Sequence, residues 1–170
     1  AMVMLMVITS LHMKEHRHAL TDISVVISSH AFGMFAFSIF SGRLADRWGR
    51  GPVIILGTCA LILAGLAAPV SPDILPISVS LFLLGFGWNF CFVGGSTLLA
   101  DQLSPGERAR TQGFNDLLIG LVSAAGSLSS GVIFASLSYA AVGIIGAGVS
   151  LVPLALTTWW QFTRRQVIVS

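Results

Sequence analysis

Between Gly42 and Arg50 the sequence places Arg43, Asp46, Arg47 and Arg50 within nine positions, with Gly42 and Gly49 at the edges. Guanidinium groups crowded around one carboxylate do electrostatic work. They pair with acids on neighbouring segments through planar, directional bonds. The two glycines permit a tight turn and close approach of the flanking segments. Asp46 can accept backbone N–H groups at a helix N-terminus. Arg47 and Arg50 can reach carboxylates on adjacent helix ends, of which Asp101 is the nearest by topology. His30 lies inside an apolar run, where ionisable groups are costly and often functional. Its imidazole changes charge near neutral pH, which makes it the candidate for proton coupling. The other reading is a neutral ring bonded to a backbone carbonyl or to Ser28 or Ser29. Trp88 and Asn89 sit near the middle of another apolar run. An indole face beside an amide that needs partners can contact a solute, or can simply pack and join two helices.

Other reactive residues point to little chemistry. His12 and His16 are four apart, with Lys14, Glu15, Arg17 and His18 around them. Ligand spacing alone allows a metal there, but no cysteine accompanies them, so a solvated polar cap is expected and no metal is assigned. Cys59 and Cys91 lie in apolar runs and read as free thiols. No Ser-His-Asp or Cys-His set has a watery site, and no phosphate-binding loop is present. Neither an enzyme nor a cofactor is expected. No basic, aromatic-interleaved patch suggests nucleic acid.

The elements that carry these residues are membrane helices. Of 170 residues, 55% are hydrophobic and 9% charged, against roughly 25% charged in a soluble domain. Mean hydropathy is +0.88. Too few charges exist to coat a soluble bundle, so the fold class is an all-α polytopic transmembrane helix bundle. Six helices are expected, at about 1–13, 23–41, 52–68, 75–100, 114–137 and 139–162. The first is shorter than the roughly 20 residues a span needs, which predicts that an upstream portion is missing. Seven of the nine basic residues fall in the second and fourth connections and the tail at Arg164 and Arg165. The positive-inside rule then makes the 42–51 loop and the C-terminus cytoplasmic. Trp159 and Trp160 fit an interfacial belt. Ser123, Ser127 and Gly131 recur every four residues and predict close packing of the fifth helix. Asp116 is expected one turn into that helix, complementing its dipole.

Gly42, Leu44, Ala45, Asp46, Arg47, Gly49 and Arg50 together resemble the signature loop of the major facilitator superfamily. In that family the loop joins the second and third helices of a six-helix half, the position it occupies here. One departure is Gly51, where the family often has lysine. The stretch 101–113 is similar to the connection between the fourth and fifth helices of such a half. The resemblance implies that residues 1–170 form one half of a two-half fold, with the C-terminal half favoured. It implies a conformational latch built from Gly42, Asp46, Arg47, Gly49, Arg50 and Asp101. The first and fourth helices would line a central cavity, making Trp88 and Asn89 substrate-cavity candidates. The implied activity is ion- or gradient-coupled secondary transport of a small-molecule solute by alternating access, in the inner or plasma membrane. The implied partners are the lipid bilayer and the missing N-terminal half or a second chain. Two rivals are a non-transporting membrane assembly protein and a membrane-embedded proton- or metal-responsive sensor.

Overall fold

The computed structural model describes residues 1–163 in full and the backbone alone for 164–169. The Arg164 and Arg165 side chains and the C-terminus, expected in the cytoplasm, lie outside the described residues. The elements are α1 (Met2–Glu15), α2 (Leu20–Phe35), α3 (Ser38–Trp48), α4 (Arg50–Ala67), α5 (Ile74–Asp101), α6 (Pro105–Ser136) and α7 (Tyr139–Val169). Among the described residues there is no strand. The expected all-α membrane bundle is what forms. Five helical stretches are long and apolar enough to cross a membrane, with α2 and α3 together making one of them. At 14 residues α1 is about 21 Å long, short of a bilayer core of about 30 Å.

The last helix runs on to Val169 where 162 was expected, and two further boundaries differ from the sequence reading in ways that bear on the site. The second helix does not stop at 41; it breaks at 36–37 and resumes as α3 through Trp48. The charged segment is therefore helical, and Gly49 alone separates α3 from α4. The fifth helix starts at Pro105 and not near 114. A capping box sets that start. The Glu107 carboxylate accepts from the Ser104 N–H at 3.3 Å and the Ser104 hydroxyl at 2.5 Å, with Pro105 at the first helical position. Asp116 consequently lies three turns inside α6, too deep to serve the helix dipole, and accepts from Gln112 Nε2 at 2.8 Å.

α5 is the central element. It packs against α4 on one side and α2 on the other, and α4 in turn packs on α7. The α4–α5 contact is close because neither helix has a side chain at the crossing. A Cβ on Gly57 would lie 2.7 Å from the Gly87 carbonyl oxygen, and one on Gly87 would lie 2.7 Å from that of Gly57. Apolar clusters seal the remaining crossings: Met4, Leu5 and Ile8 with Ala64 and Val142, and Met13 with Val26, Ile77 and Leu81. α6 stands apart. Only 6% of its membrane-length stretch is buried, against 44% for α4 and for α5. The small-residue face expected to pack is partly engaged, against α1: Ser123, Ser127 and Gly131 are half-buried, Ser130 is buried and a Cβ at Gly126 would lie 3.3 Å from Met4 Cγ, whereas one at Gly120 or Gly131 would meet nothing within 4 Å.

The connections segregate to two ends. One end gathers the 48–50 and 102–104 turns, with Arg43, Arg47, Arg50, Arg108 and Arg110 near it. The opposite end gathers the α1–α2 and α4–α5 connections, joined where His18 Nε2 donates to the Pro72 carbonyl at 2.8 Å.

Candidate functional site

The helix-end relay is built from three elements. Gly49 has φ 91° and ψ 163°, a conformation essentially reserved for glycine, and it reverses the chain between α3 and α4 within one residue. Arg50 then opens α4, and its guanidinium reaches back and across. Nη1 donates to the Ala45 carbonyl at 2.6 Å and to Asp46 Oδ1 at 2.7 Å, both on α3. Nε donates to Asp101 Oδ2 at 3.0 Å, on the last residue of α5. One side chain thus joins α3, α4 and α5. Side-chain exposure is 23% for Arg50, 73% for Asp46 and 49% for Asp101, so each ion pair is screened and worth at most about 1 kcal/mol. The value of the arrangement lies in its geometry, because a planar guanidinium can serve three acceptors at fixed angles.

The remaining residues expected in this network behave differently. Arg47 is exposed and forms no hydrogen bond or ion pair among the described residues. Asp46 accepts from a side chain and not from a helix N-terminus. Gly42 lies within α3, and a Cβ there would meet nothing within 4 Å, so neither a turn nor a close approach requires glycine at that position. A further contact was not foreseen. Arg108 Nε donates to the Ala100 carbonyl of α5 at 3.1 Å and to the Leu103 carbonyl of the following turn at 3.3 Å. The signal for it was an arginine in the first turn of the helix that follows α5 after a short connection.

Gly49→Ala is expected to strain the α3–α4 turn by about 1–3 kcal/mol. Trypsin cleavage after Arg47 in membrane vesicles should accelerate; an unchanged cleavage rate would show that the turn tolerates a side chain.

Trp88 and Asn89, expected as a pair, point to different places. Trp88 lines a cleft of about 410 Å³ together with Met2, Met4, Leu118, Ser123 and Pro153. Its ring stacks on Phe92 with centroids 4.8 Å apart and meets Phe35 edge-on at 6.5 Å. Asn89 is 2% exposed and faces the α2–α3 joint. Its Nδ2 donates to the Met34 carbonyl at 2.6 Å and to Ser38 Oγ at 2.8 Å, and its Oδ1 accepts from Ser41 Oγ at 2.7 Å. All of its amide atoms are engaged, so in this conformation it has nothing to offer a solute in the cleft. Successive helix residues lie about 100° apart, which separates the two side chains.

His30 is also 2% exposed. Its ring lies 2.9 Å from the Leu81 carbonyl through Nδ1. A carbonyl only accepts, so Nδ1 carries the proton and Nε2 is the lone-pair nitrogen. Nε2 is buried without a partner. At the opposite end, the His12 ring stacks flat on Tyr139 with centroids 4.0 Å apart, beside His16 at 4.3 Å. The Tyr139 hydroxyl donates to Thr9 Oγ1 at 2.9 Å, since Thr9 gives its own proton to the Leu5 carbonyl. His12 and Thr9 tie α1 to Tyr139 of α7, and no group of three or more His, Cys, Asp or Glu among the described residues could hold a metal ion.

Comparison with known proteins extends this geometry. A family model described as Major Facilitator Superfamily matches residues 1–169. The uncharacterized MFS-type transporter YdeG of Bacillus subtilis is 39% identical over 160 residues, 93% of this chain and 37% of that protein. YddS of the same organism, also named an uncharacterized MFS-type transporter, is 38% identical over 167 residues, 97% of this chain and 38% of its own length. The riboflavin transporter RfnT of Brucella anthropi is 30% identical over 136 residues, 79% of this chain and 34% of that protein. The chain therefore spans under two-fifths of the length of these relatives. No solved structure matches it at a significant level.

Proposed function

Because the chain belongs to the major facilitator superfamily, we propose that the whole protein is a secondary transporter that moves a small solute across the cell membrane by alternating access. The observation that carries this reading is the Arg50 relay. It holds the ends of α3, α4 and α5 together at the arginine-rich side, through contacts weak enough to break and re-form in each cycle. By the positive-inside rule that side faces the cytoplasm. Residues 1–170 are read as one half of the fold, the C-terminal one. The bare apolar face of α6 is read as the surface against which the other half packs.

The cleft beside Trp88 has no ionisable side chain in its lining. It suits a solute with a flat, uncharged ring; riboflavin, the solute in the name of one relative, has such a ring. Proton coupling through His30 requires a second conformation in which Nε2 reaches water or an acceptor, since a proton added there now meets neither.

Asp46→Asn tests the proposal. In vesicles holding the full-length protein, efflux of riboflavin and of a panel of uncharged aromatic solutes should fall about two- to fivefold, the size expected of one exposed ion pair. Protein in the membrane should be unchanged. Wild-type flux in the variant would remove the latch role from the relay.

A further inference from the structure

We propose that Asn89 is a positioning residue that fastens α3 to α5 a second time, inside the membrane, and so sets how readily the arm carrying Asp46 swings away. The proposal rests on the reading of the relay as a latch.

The break between α2 and α3 falls at Ala36 and Phe37, where the sequence has neither proline nor glycine. Helix breaks have identifiable causes, and one is a side chain inserted into the i to i−4 ladder. Met34 is the residue whose carbonyl an unbroken helix would give to the Ser38 N–H. Here the Asn89 amide occupies that carbonyl. The same amide also bonds Ser38 and Ser41, one turn apart on α3. Met34 can only accept through its carbonyl, which fixes which end of the amide carries the N–H groups. Ser41 is fully buried and Asn89 nearly so. An amide in hydrocarbon holds its partners firmly, because releasing them leaves donors with no water to replace them.

α3 has 11 residues, about 16 Å of arm. Asn89 and Asp101 are twelve residues apart on α5, about 18 Å. The arm is thus tied at both ends to one rigid helix. The buried amide sits at its root, beside the break, and the Arg50 relay at its water-facing tip. Breaking the relay alone frees only the tip. A swing of the whole arm needs the amide to release Ser38 and Ser41, or to keep them while the Met34 carbonyl returns to the helix ladder.

The test uses the full-length protein in lipid nanodiscs, with Arg43→Cys and Gln102→Cys spin-labelled and the distance distribution read by pulsed electron resonance. Both positions are exposed, and neither labelled side chain takes part in the relay. Asn89→Leu should raise the longer-distance population about tenfold, the scale set by losing one to two net hydrogen bonds between α3 and α5, while Ser38 and Ser41 keep their bonds to the Phe35 and Ser38 carbonyls. Ser38→Ala should move the distribution the same way, and Ser38→Thr, which keeps the hydroxyl, should restore it. If Asn89→Leu fails to reach the membrane, the Ser38 pair alone decides. A distribution unchanged in Ser38→Ala, or shifted equally in Ser38→Thr, overturns the proposal. The readout needs no solute. A shifted distribution in a protein that transports nothing would sink the transport reading and leave the second fastening standing.

Discussion

Arg50→Gln is expected to lower flux by at least about tenfold, more than any single change at its partners. The substitution removes three bonds to three positions and leaves Asp46 and Asp101 without their counter-charge. Each contact is half-exposed, so the sum is about 2 kcal/mol, not the larger figure a buried ion pair would suggest. That sum still moves a two-state equilibrium more than tenfold. Arg50→Lys should rescue little, because an ammonium cannot serve Ala45, Asp46 and Asp101 at once in the fork geometry. The control is non-additivity. Asp46→Asn combined with Arg50→Gln should be no worse than Arg50→Gln alone, since the two groups act as one unit. Additive losses would mean that Asp46 works independently of Arg50. The measurement is solute efflux normalised to membrane-inserted protein.

The second large effect is structural. Gly87→Leu should destabilise the bundle by about 3 kcal/mol or more. The first added carbon already falls 2.7 Å from the Gly57 carbonyl oxygen, and backbone cannot rotate away as a side chain does. α4 and α5 must separate, which also pulls Phe90 from Val53. The check is the thermal aggregation midpoint in detergent, compared with Gly95→Leu. Gly95 is also on α5, but a Cβ there would meet nothing within 4 Å. Equal midpoints for the two variants would mean that the crossing is looser than its geometry.

Much of this was legible in the residues. Apolar runs and sparse charge reveal membrane helices, because burial in lipid tolerates little else. The Arg50–Asp101 partnership could be read from topology, since two helix ends on one side of a membrane have few acids to choose from. Other features needed coordinates. That Arg50 pairs while Arg47 stays free depends on the direction each side chain leaves its backbone around Gly49. The break at 36–37 left no local mark because its cause, Asn89, is some fifty residues away in sequence. The early start of α6 had left a mark, the Ser104 to Glu107 capping box. Hydropathy hid it, since a helix that projects beyond the bilayer is polar and resembles a loop. The separation of Trp88 from Asn89 was implicit in helix geometry, which never lets consecutive residues share a face.

That separation has a consequence for how such a protein changes over generations. On α5 the groups that hold α2, α3 and α4, namely Gly87, Asn89 and Asp101, lie apart from Trp88, the residue that lines the cleft. On the transport reading proposed above, a substitution at Trp88 alters which molecules fit while leaving the Arg50 relay and the Asn89 bonds in place. On the same reading, a substitution at Gly87, Asn89 or Asp101 harms the cycle whatever the cargo. Descendants of one ancestral gene can therefore diverge in diet while inheriting the same machine, and selection acts on the two properties separately.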